Sequence, residues 1–278
     1  MVQSRSRYGF VAAAVCTLLM CGLCAPARAQ GHIDKAWDIL KKAASDSNTD
    51  KRAAGVAVLA LLQGDSEAQA MAEKALSDEK PVVRTAAANA LGAMEAKSAI
   101  PALKNAIRDK DVSVVLAATH ALYVLKDPTA YEVYYAVLTG QKKSGGGLID
   151  DQKKMLSDPK KMAQLGFEQG IGFIPFAGLG LTALGMITKD DTSPVRAAAA
   201  KVLAKDPDPK SGDALVDAAF DKSWIVRAAA LNAISERGDF TLGPRIEAGM
   251  DDEKEQVRYI AAAAVIHLQD VRTSTVGK

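Results

Sequence analysis

Aspartate and arginine recur six residues apart along this 278-residue chain, which makes them its most regular pair of charged side chains. The pairs are Asp46 with Arg52, Asp78 with Arg84, Asp190 with Arg196, Asp221 with Arg227, and Asp252 with Arg258. An aspartate in a turn can cap the next helix, and an arginine one turn inside that helix can reach a carboxylate on an adjacent segment. We interpret the pairs as a structural ladder of alternating charges; the alternative is that the arginines bind anions.

Residues suited to catalysis are not grouped in this sequence. The three histidines, His32, His120 and His267, are far apart, so a shared metal site would need improbable geometry. No Ser-His-Asp elbow or paired-carboxylate motif is present, and the glycine run 145–147 is not followed by the Lys-Ser or Lys-Thr of a phosphate-binding loop. We therefore predict that the protein is not an enzyme and holds no cofactor and no metal.

The charged pairs belong to an internal repeat of 31 residues. Segments of 15 residues align without gaps from Asp78, Asp190, Asp221 and Asp252, and degenerate copies start at Asp46 and Asp109. In the copy from Asp109, Val115 replaces the arginine, so the ladder should be interrupted there. Successive starts are 32, 31, 81, 31 and 31 residues apart, so one unit carries an insertion of about 19 residues. A fixed period of this length is typical of stacked repeats.

The apolar positions of the repeat predict two helices per unit. Two columns of apolar residues lie eight residues apart on one helical face and should be buried. The first column holds Val83, Val114, Val195, Val226 and Val257, and the second holds Leu59, Leu91, Leu122, Leu203, Ile234 and Val265. Small residues stand between them (Gly55, Ala87, Ala118, Ala199, Ala230, Ala261), and a preceding helix carries Ala72, Leu103, Tyr134, Leu184, Leu215 and Ile246 in register. Short helices are marginal alone, so the units must stack. The predicted fold is an all-α solenoid of about seven helical hairpins.

The N-terminal residues 1–29 have the features of a signal peptide. Arg5 and Arg7 precede an apolar run from Phe10 to Leu23, and Ala27-Arg28-Ala29 is a small-x-small cleavage pattern. The alternative is an uncleaved anchor, although the run is shorter than the roughly 20 residues that span a bilayer. We expect cleavage before Gln30, export to the periplasm or the medium, and a single repeat domain over residues 30–278.

Composition excludes two further classes for the mature chain. All three cysteines (Cys16, Cys21, Cys24) lie in the predicted leader, so residues 30–278 have no thiol for disulfides, catalysis or metal binding. The formal charge of +2 includes three leader arginines and no leader acid, so the mature charge is 2 − 3 = −1. A chain near neutrality lacks the basic surface that nucleic-acid binding requires.

The pattern of Asp, Val-Arg, an alanine-rich stretch and Leu, as in DKSWIVRAAALNAIS from Asp221, resembles the short HEAT-like repeats first described in phycobilisome lyases. The resemblance covers most of residues 33–270. It implies a curved scaffold that binds protein partners, with the second helices on the concave side; some members instead attach or remove bilins, so a bilin lyase-like protein is an alternative. The signatures of ankyrin and tetratricopeptide repeats are missing.

A polar row on the second helices is the first candidate for partner binding. Asn89, His120, Lys201 and Asn232 share one repeat position, and the aromatic residues Tyr123, Trp224 and Tyr259 lie nearby. Aromatic residues frequently anchor interfaces. We predict that these residues line a groove for an unidentified protein partner, which makes the protein a non-enzymatic scaffold in the cell envelope; the alternative is an ordinary solvated face.

The insertion, at about 140–160 in the fourth unit, is the second candidate. It follows a helix with Tyr131, Tyr134 and Tyr135, and it begins with a basic glycine loop and the lysine-rich stretch Lys153–Lys161. The segment Gly170–Ile187 after it has no charge. The repeat register predicts a buried first helix of unit five there. The alternative is a peripheral membrane protein that uses Gly170–Ile187, since the lysines could meet anionic headgroups.

Overall fold

The computed structural model describes residues 30–139 and 193–276, and all regular secondary structure in these two ranges is helical. In chain order the helices are α1 (30–44), α2 (Thr49–Ala57), α3 (Ser66–Ala75), α4 (Pro81–Ala93), α5 (Ile100–Ala106), α6 (Val112–Val124), α7 (Thr129–Thr139), α8 (Ser193–Leu203), α9 (Pro209–Ala218), α10 (Trp224–Arg237), α11 (Gly243–Ile246) and α12 (Glu255–Val276). Short 3₁₀ turns follow α2 (Val58–Leu61), precede α5 (Lys97–Ala99) and flank α11 (Phe240–Leu242, Glu247–Asp251).

Several sequence predictions lie outside the described residues and stay predictions. They are the signal peptide 1–29, the insertion at about 140–160, the uncharged segment Gly170–Ile187, and the ladder residue Asp190. Within the two described ranges, no helix is long and apolar enough to span a bilayer.

The helices pair into hairpins that stack side by side, which confirms the predicted all-α solenoid. Units 1, 2, 3, 6 and 7 are the pairs α1/α2, α3/α4, α5/α6, α9/α10 and α11/α12, while α7 and α8 are the described halves of units 4 and 5. The second helices form the inner contacts of the stack, α2 against α4, α4 against α6, α8 against α10, and α10 against α12. One continuous apolar core therefore runs through the hairpins.

The predicted columns explain most of this core. Val83, Val114 and Val257 are completely buried, as are Leu59, Leu91, Leu122 and Ile234 of the second column and Leu103 and Ile246 on the first helices. The exceptions lie on α7 and α8. Tyr134 is 37% exposed, Ala199 is exposed and Leu203 is only half-buried, so the burial predicted for Leu203 is wrong.

Small side chains allow the helices of a hairpin to approach closely. At Gly55 in α2, a β-carbon would lie 2.6 Å from the backbone carbonyl carbon of Ala43 in α1. Such a distance is well inside van der Waals contact, so the column of small residues is a steric requirement at this position.

The last unit also packs against the first, which the repeat pattern did not predict. Helix α12 contacts α2 and the 3₁₀ turn after it. Lys35 of α1 bonds the Asp251 carboxylate at 2.6 Å, and Lys51 of α2 bonds Glu255 at 2.7 Å. We call this contact between units 7 and 1 the seam. It brings the two ends of the described array together, so the array is closed at this point and not an open rod.

Candidate protein-interaction surface

Three arginines of the ladder, Arg52, Arg84 and Arg227, each bond two successive turns. Nε and Nη2 of Arg84 donate to the two carboxylate oxygens of Asp109 in the next unit, at 2.7 and 2.8 Å, while Nη1 donates to the backbone oxygen of Asp78 in its own unit at 2.8 Å. Arg227 makes the same contacts with Asp252, at 2.7 and 2.8 Å, and with the Asp221 backbone oxygen. Such two-point bonds fix geometry as well as energy. Arg84 and Arg227 thus hold neighbouring units of the stack together.

Arg52 makes the same two-sided bond, because its Nη1 also donates to the Asp46 backbone oxygen, whereas Arg196 donates from Nη1 to one carboxylate oxygen of Asp221. Arg52 bonds the Asp78 carboxylate at 2.7 and 3.0 Å. Because Arg52 hydrogen-bonds Asp78, the pKa of this carboxyl is lowered from its ordinary value of 3.8. Val115, which replaces the arginine in unit 3, is buried.

The aspartates support the second helices differently from what we predicted. The Asp78 carboxylate accepts from the backbone N–H of Lys80 at 2.8 Å, and the Asp221 carboxylate accepts from Ser223 at 2.7 Å. Lys80 and Ser223 are the N-cap residues of α4 and α10. The aspartate therefore fixes the turn before the cap and does not accept the first amides of the helix itself, because it stands two residues too early.

The predicted partner-binding residues do not share one surface. His120, Tyr123 and Lys201 are exposed, whereas Asn89, Asn232 and Trp224 are half-buried. Tyr259 is only 6% exposed, since it lies on the side of α12 near Lys51 and Asp46 of unit 1, and burial raises its pKa. This position corrects the assignment of Tyr259 to the exposed row. Ala263, at the end of the row, is fully buried. The row is therefore not a continuous groove.

The structure instead gathers aromatic side chains at the junction of units 3 and 4. Tyr123 of α6 lies with its ring centroid 6.0 Å from Tyr131 and 6.4 Å from Tyr134 of α7, both edge to face, and 6.3 Å from His120. We call His120, Tyr123, Tyr131 and Tyr134 the tyrosine patch. Tyr123 and Tyr131 are 47% and 62% exposed, although rings of this size contribute most when buried.

A tight turn between α6 and α7 positions the patch. Lys126 takes a left-handed conformation with φ of 61°, and the Asp127 N–H bonds the Leu122 oxygen at 2.9 Å, which ends α6. The Asp127 carboxylate then accepts the Thr129 N–H at 3.0 Å and bonds Lys104 at 2.9 Å, and these bonds lower its pKa. The turn thus holds the end of α6 beside the start of α7. Sequence reasoning placed Tyr131 and Tyr134 on one helix but could not orient that helix toward Tyr123.

The patch has the chemistry of a contact surface. Because the rings meet edge to face, parts of their faces and edges stay available for contact with a partner. Tyrosine supplies a large apolar area together with one hydroxyl. Burial raises the pKa of Tyr134, so this phenol stays protonated and neutral well above neutral pH. Among residues 30–139 and 193–276, no group of three or more histidine, cysteine, aspartate or glutamate side chains is arranged to hold a metal ion.

Comparison with known proteins gives a family and a fold. No curated protein is significantly similar to the chain in sequence. Among solved structures, it is similar to a chain in the complex of CpcE and CpcF of phycocyanin lyase from Nostoc sp. PCC7120, with 22% identity and a TM-score of 0.33 over 84% of this chain and 92% of that chain. It is also similar to human deoxyhypusine hydroxylase in complex with glycerol, with 17% identity and a TM-score of 0.28 over 83% of each chain.

The family model for HEAT repeats matches residues 38–123 and 181–266. These two segments are more than half of the chain, and they contain the hairpins that carry the Asp–Arg pairs. The chain therefore belongs to the HEAT-repeat family.

Proposed function

We propose that this protein is a non-enzymatic scaffold of the cell envelope that binds a protein partner through the tyrosine patch. The proposal rests on one observation, the exposure of three tyrosines, of which Tyr123 contacts the other two, in a chain that has six tyrosines in all. HEAT repeats are stacked units whose surfaces suit protein binding, which supports the class of function.

The patch is favoured over the polar row because of its physical character. Interfaces are enriched in aromatic residues, and the residues that contribute most to binding cluster together. Tyr123, Tyr131 and Tyr134 form such a cluster, with the ring of His120 beside it. Asn89 and Asn232, in contrast, are half-buried single residues on separate units. Binding should therefore concentrate at units 3 and 4.

The experiment that tests the proposal compares the patch with an exposed aromatic residue elsewhere. Tyr123→Ser with Tyr131→Ser removes two rings of the patch, while Phe220→Ser removes a ring that is 53% exposed at the end of α9. Each tagged chain is expressed in its native cell, and co-purified proteins are quantified by mass spectrometry. A partner of the patch should be retained by the wild type and by Phe220→Ser, and reduced at least about tenfold by the double variant, which corresponds to about 1.4 kcal/mol.

Two outcomes would contradict the proposal. Equal recovery of every co-purified protein with the wild type and the double variant would remove the patch as the binding site. Location is tested separately by cell fractionation. Recovery of the chain only in the cytosolic fraction, with residues 1–29 still attached, would contradict the envelope part of the proposal and leave the binding part standing.

A further inference from the structure

The seam differs chemically from the contacts between units that the Arg–Asp pair bridges. Units 1 and 2, 2 and 3, and 6 and 7 are joined by two-point Arg–Asp bonds of low exposure, as with Arg227 and Asp252, both of whose side chains are 10% exposed. Between units 5 and 6, Arg196 bonds one oxygen of Asp221, and its side chain is 35% exposed.

At the seam, Lys35 and Asp251 are 42% and 70% exposed, and Lys51 and Glu255 are 40% and 32% exposed. His32 and Glu247 also meet there, 30% and 26% exposed, beside apolar contacts of α12 with α2. Exposed ion pairs contribute little and are screened by salt, whereas enclosed pairs are screened much less.

The Arg–Asp bridge itself is not formed at the seam. Arg258 is the arginine of unit 7, and Asp46 is the turn aspartate of unit 1, so these two residues would make the bridge. Arg258 instead donates to the backbone oxygen of its own Asp252 at 2.6 Å and lies 3.5 Å from Glu255. Asp46 accepts from the Asn48 N–H of its own turn. In the described part of the chain, the seam is thus held without the bond that the repeat motif supplies between units 1 and 2, 2 and 3, 5 and 6, and 6 and 7.

We propose that the seam is the point at which this closed array opens. Screening or reversal of the lysine–carboxylate pairs of the seam shifts the balance toward separation of units 7 and 1, while the arginine-bridged contacts hold. The protein then has two arrangements, a closed one and an open one, and the open one uncovers the side of α12 around Tyr259. This inference concerns a region away from the tyrosine patch and does not depend on the proposed function.

The test measures one distance across the seam and one across a bridged contact. In the full chain with Cys16, Cys21 and Cys24 replaced by serine, spin labels are placed on Asp34→Cys and Ala248→Cys across the seam. The control carries labels on Glu79→Cys and Lys110→Cys across the bridge of Arg84 with Asp109. All four positions are exposed. Distances are measured by pulsed electron resonance at about 0.01 M and about 1 M salt, between which the screening length falls from about 30 to about 3 Å.

The expected result is a second, longer distance for the seam labels whose share rises with salt, while the control distance stays constant. A seam distance that does not change with salt would overturn the proposal. So would equal lengthening of both pairs, because that shows general unfolding. Lys35→Glu with Lys51→Glu should give the long distance already at low salt, and addition of Asp251→Lys with Glu255→Lys should restore the short one. If this restoration fails while helicity by circular dichroism is unchanged, the ion pairs do not hold the seam closed.

Discussion

At the scale of single residues, the six-residue spacing of aspartate and arginine has a geometric reason. The arginine side chain starts one turn inside the second helix and reaches back to the carbonyl of its own turn, as Arg84 Nη1 does with Asp78. Its remaining donors then meet the carboxylate of the next turn. One guanidinium group therefore fixes both the turn of its own hairpin and the distance to the next hairpin. This double role explains why arginine and not lysine occupies this position in the bridged units.

Replacement of Arg84 by methionine tests the value of this bridge. The side chain of Arg84 is 8% exposed, so its loss leaves the Asp109 carboxylate without its main cationic partner in a partly enclosed site. We expect Arg84→Met to lower the free energy of unfolding by about 3 kcal/mol. Arg258→Met is the matched control because it loses the same bond to its own turn but no bond to another unit, and it should cost about 1 kcal/mol or less. Urea denaturation followed by circular dichroism measures both; equal losses would show that the inter-unit bond adds nothing.

Asp78 makes the stability of units 1 and 2 depend on pH. The hydrogen bond from Arg52 lowers the pKa of Asp78 below 3.8 in the folded protein. A carboxyl with a lowered folded pKa stabilises the fold above its unfolded pKa, and this contribution is lost as the pH falls through the folded pKa. Asp78→Asn cannot titrate, so the wild type should exceed the variant by about 1–3 kcal/mol at pH 7. The gap should shrink at a pH well below 3.8. Urea midpoints at the two pH values check this, and a constant gap would contradict it.

The sequence predicted well the contacts that depend on the motif of a single repeat. It predicted poorly the contacts that depend on the angle between two helices. Asp–Arg spacing is a local property, so the pairs of Arg84 and Arg227 could be anticipated. The positions of Tyr123 and Tyr259 depend on how α6 meets α7 and on how α12 meets α2, and these angles depend on turns such as that at Lys126. Repeat columns do not encode such angles, which is why the patch and the burial of Tyr259 were missed.

At the scale of elements, the columns of the repeat predicted the buried face of most second helices. Val83 on α4, Val114 on α6 and Val257 on α12 are all fully buried, and each of these helices packs against the second helix of at least one adjacent unit. Helix α8 departs from the pattern, because Ala199 and Val202 are exposed, the latter to 72%. Its described neighbours, α9 and α10, both belong to the next unit. A column thus predicts burial only where the adjacent unit provides the partner helix.

Gly55 shows how close two elements of one unit come. An added methyl at Gly55 would lie 2.6 Å from backbone and side-chain atoms of Ala43, so α1 and α2 would have to move apart. We expect Gly55→Ala to destabilise the protein by about 2 kcal/mol through overpacking. Gly31→Ala in α1 is the control, since a methyl there meets nothing within 4 Å and should change stability by about 0.5 kcal/mol or less. Thermal denaturation of both variants measures the contrast, and a neutral Gly55→Ala would mean that the two helices separate easily.

At the scale of the whole molecule, closure of the array could not be read from the repeats. The curvature of a solenoid accumulates from a small rotation at each unit, and the columns that specify stacking leave this rotation open. The departure in the last unit is its long second helix, α12, which has 22 residues against 13 in α4 and α6. Eight consecutive residues of α12, from Tyr259 to Ile266, are buried, since neighbours surround the helix on several sides. A helix that is apolar around its whole circumference must be buried on all sides. This is the one feature of the sequence that indicates closure of the array.

Circular permutation tests closure directly, because it requires the two ends of the array to be neighbours. His32 near the start of α1 and Arg272 near the end of α12 line the same cavity, so a short Gly-Ser linker should join residue 276 to residue 30 without strain. New ends between Gln63 and Gly64 open an exposed loop between units 1 and 2, where the bond of Arg52 with Asp78 still holds the units together. We expect the permutant to keep its helicity and its radius of gyration by X-ray scattering. It should also stay compact at about 1 M salt, because the linker covalently joins the units that meet at the seam.

The matched control has the same new ends but no linker, and it should lose compactness as salt rises. A permutant that is expanded already at low salt would show that the first and last units do not meet in solution.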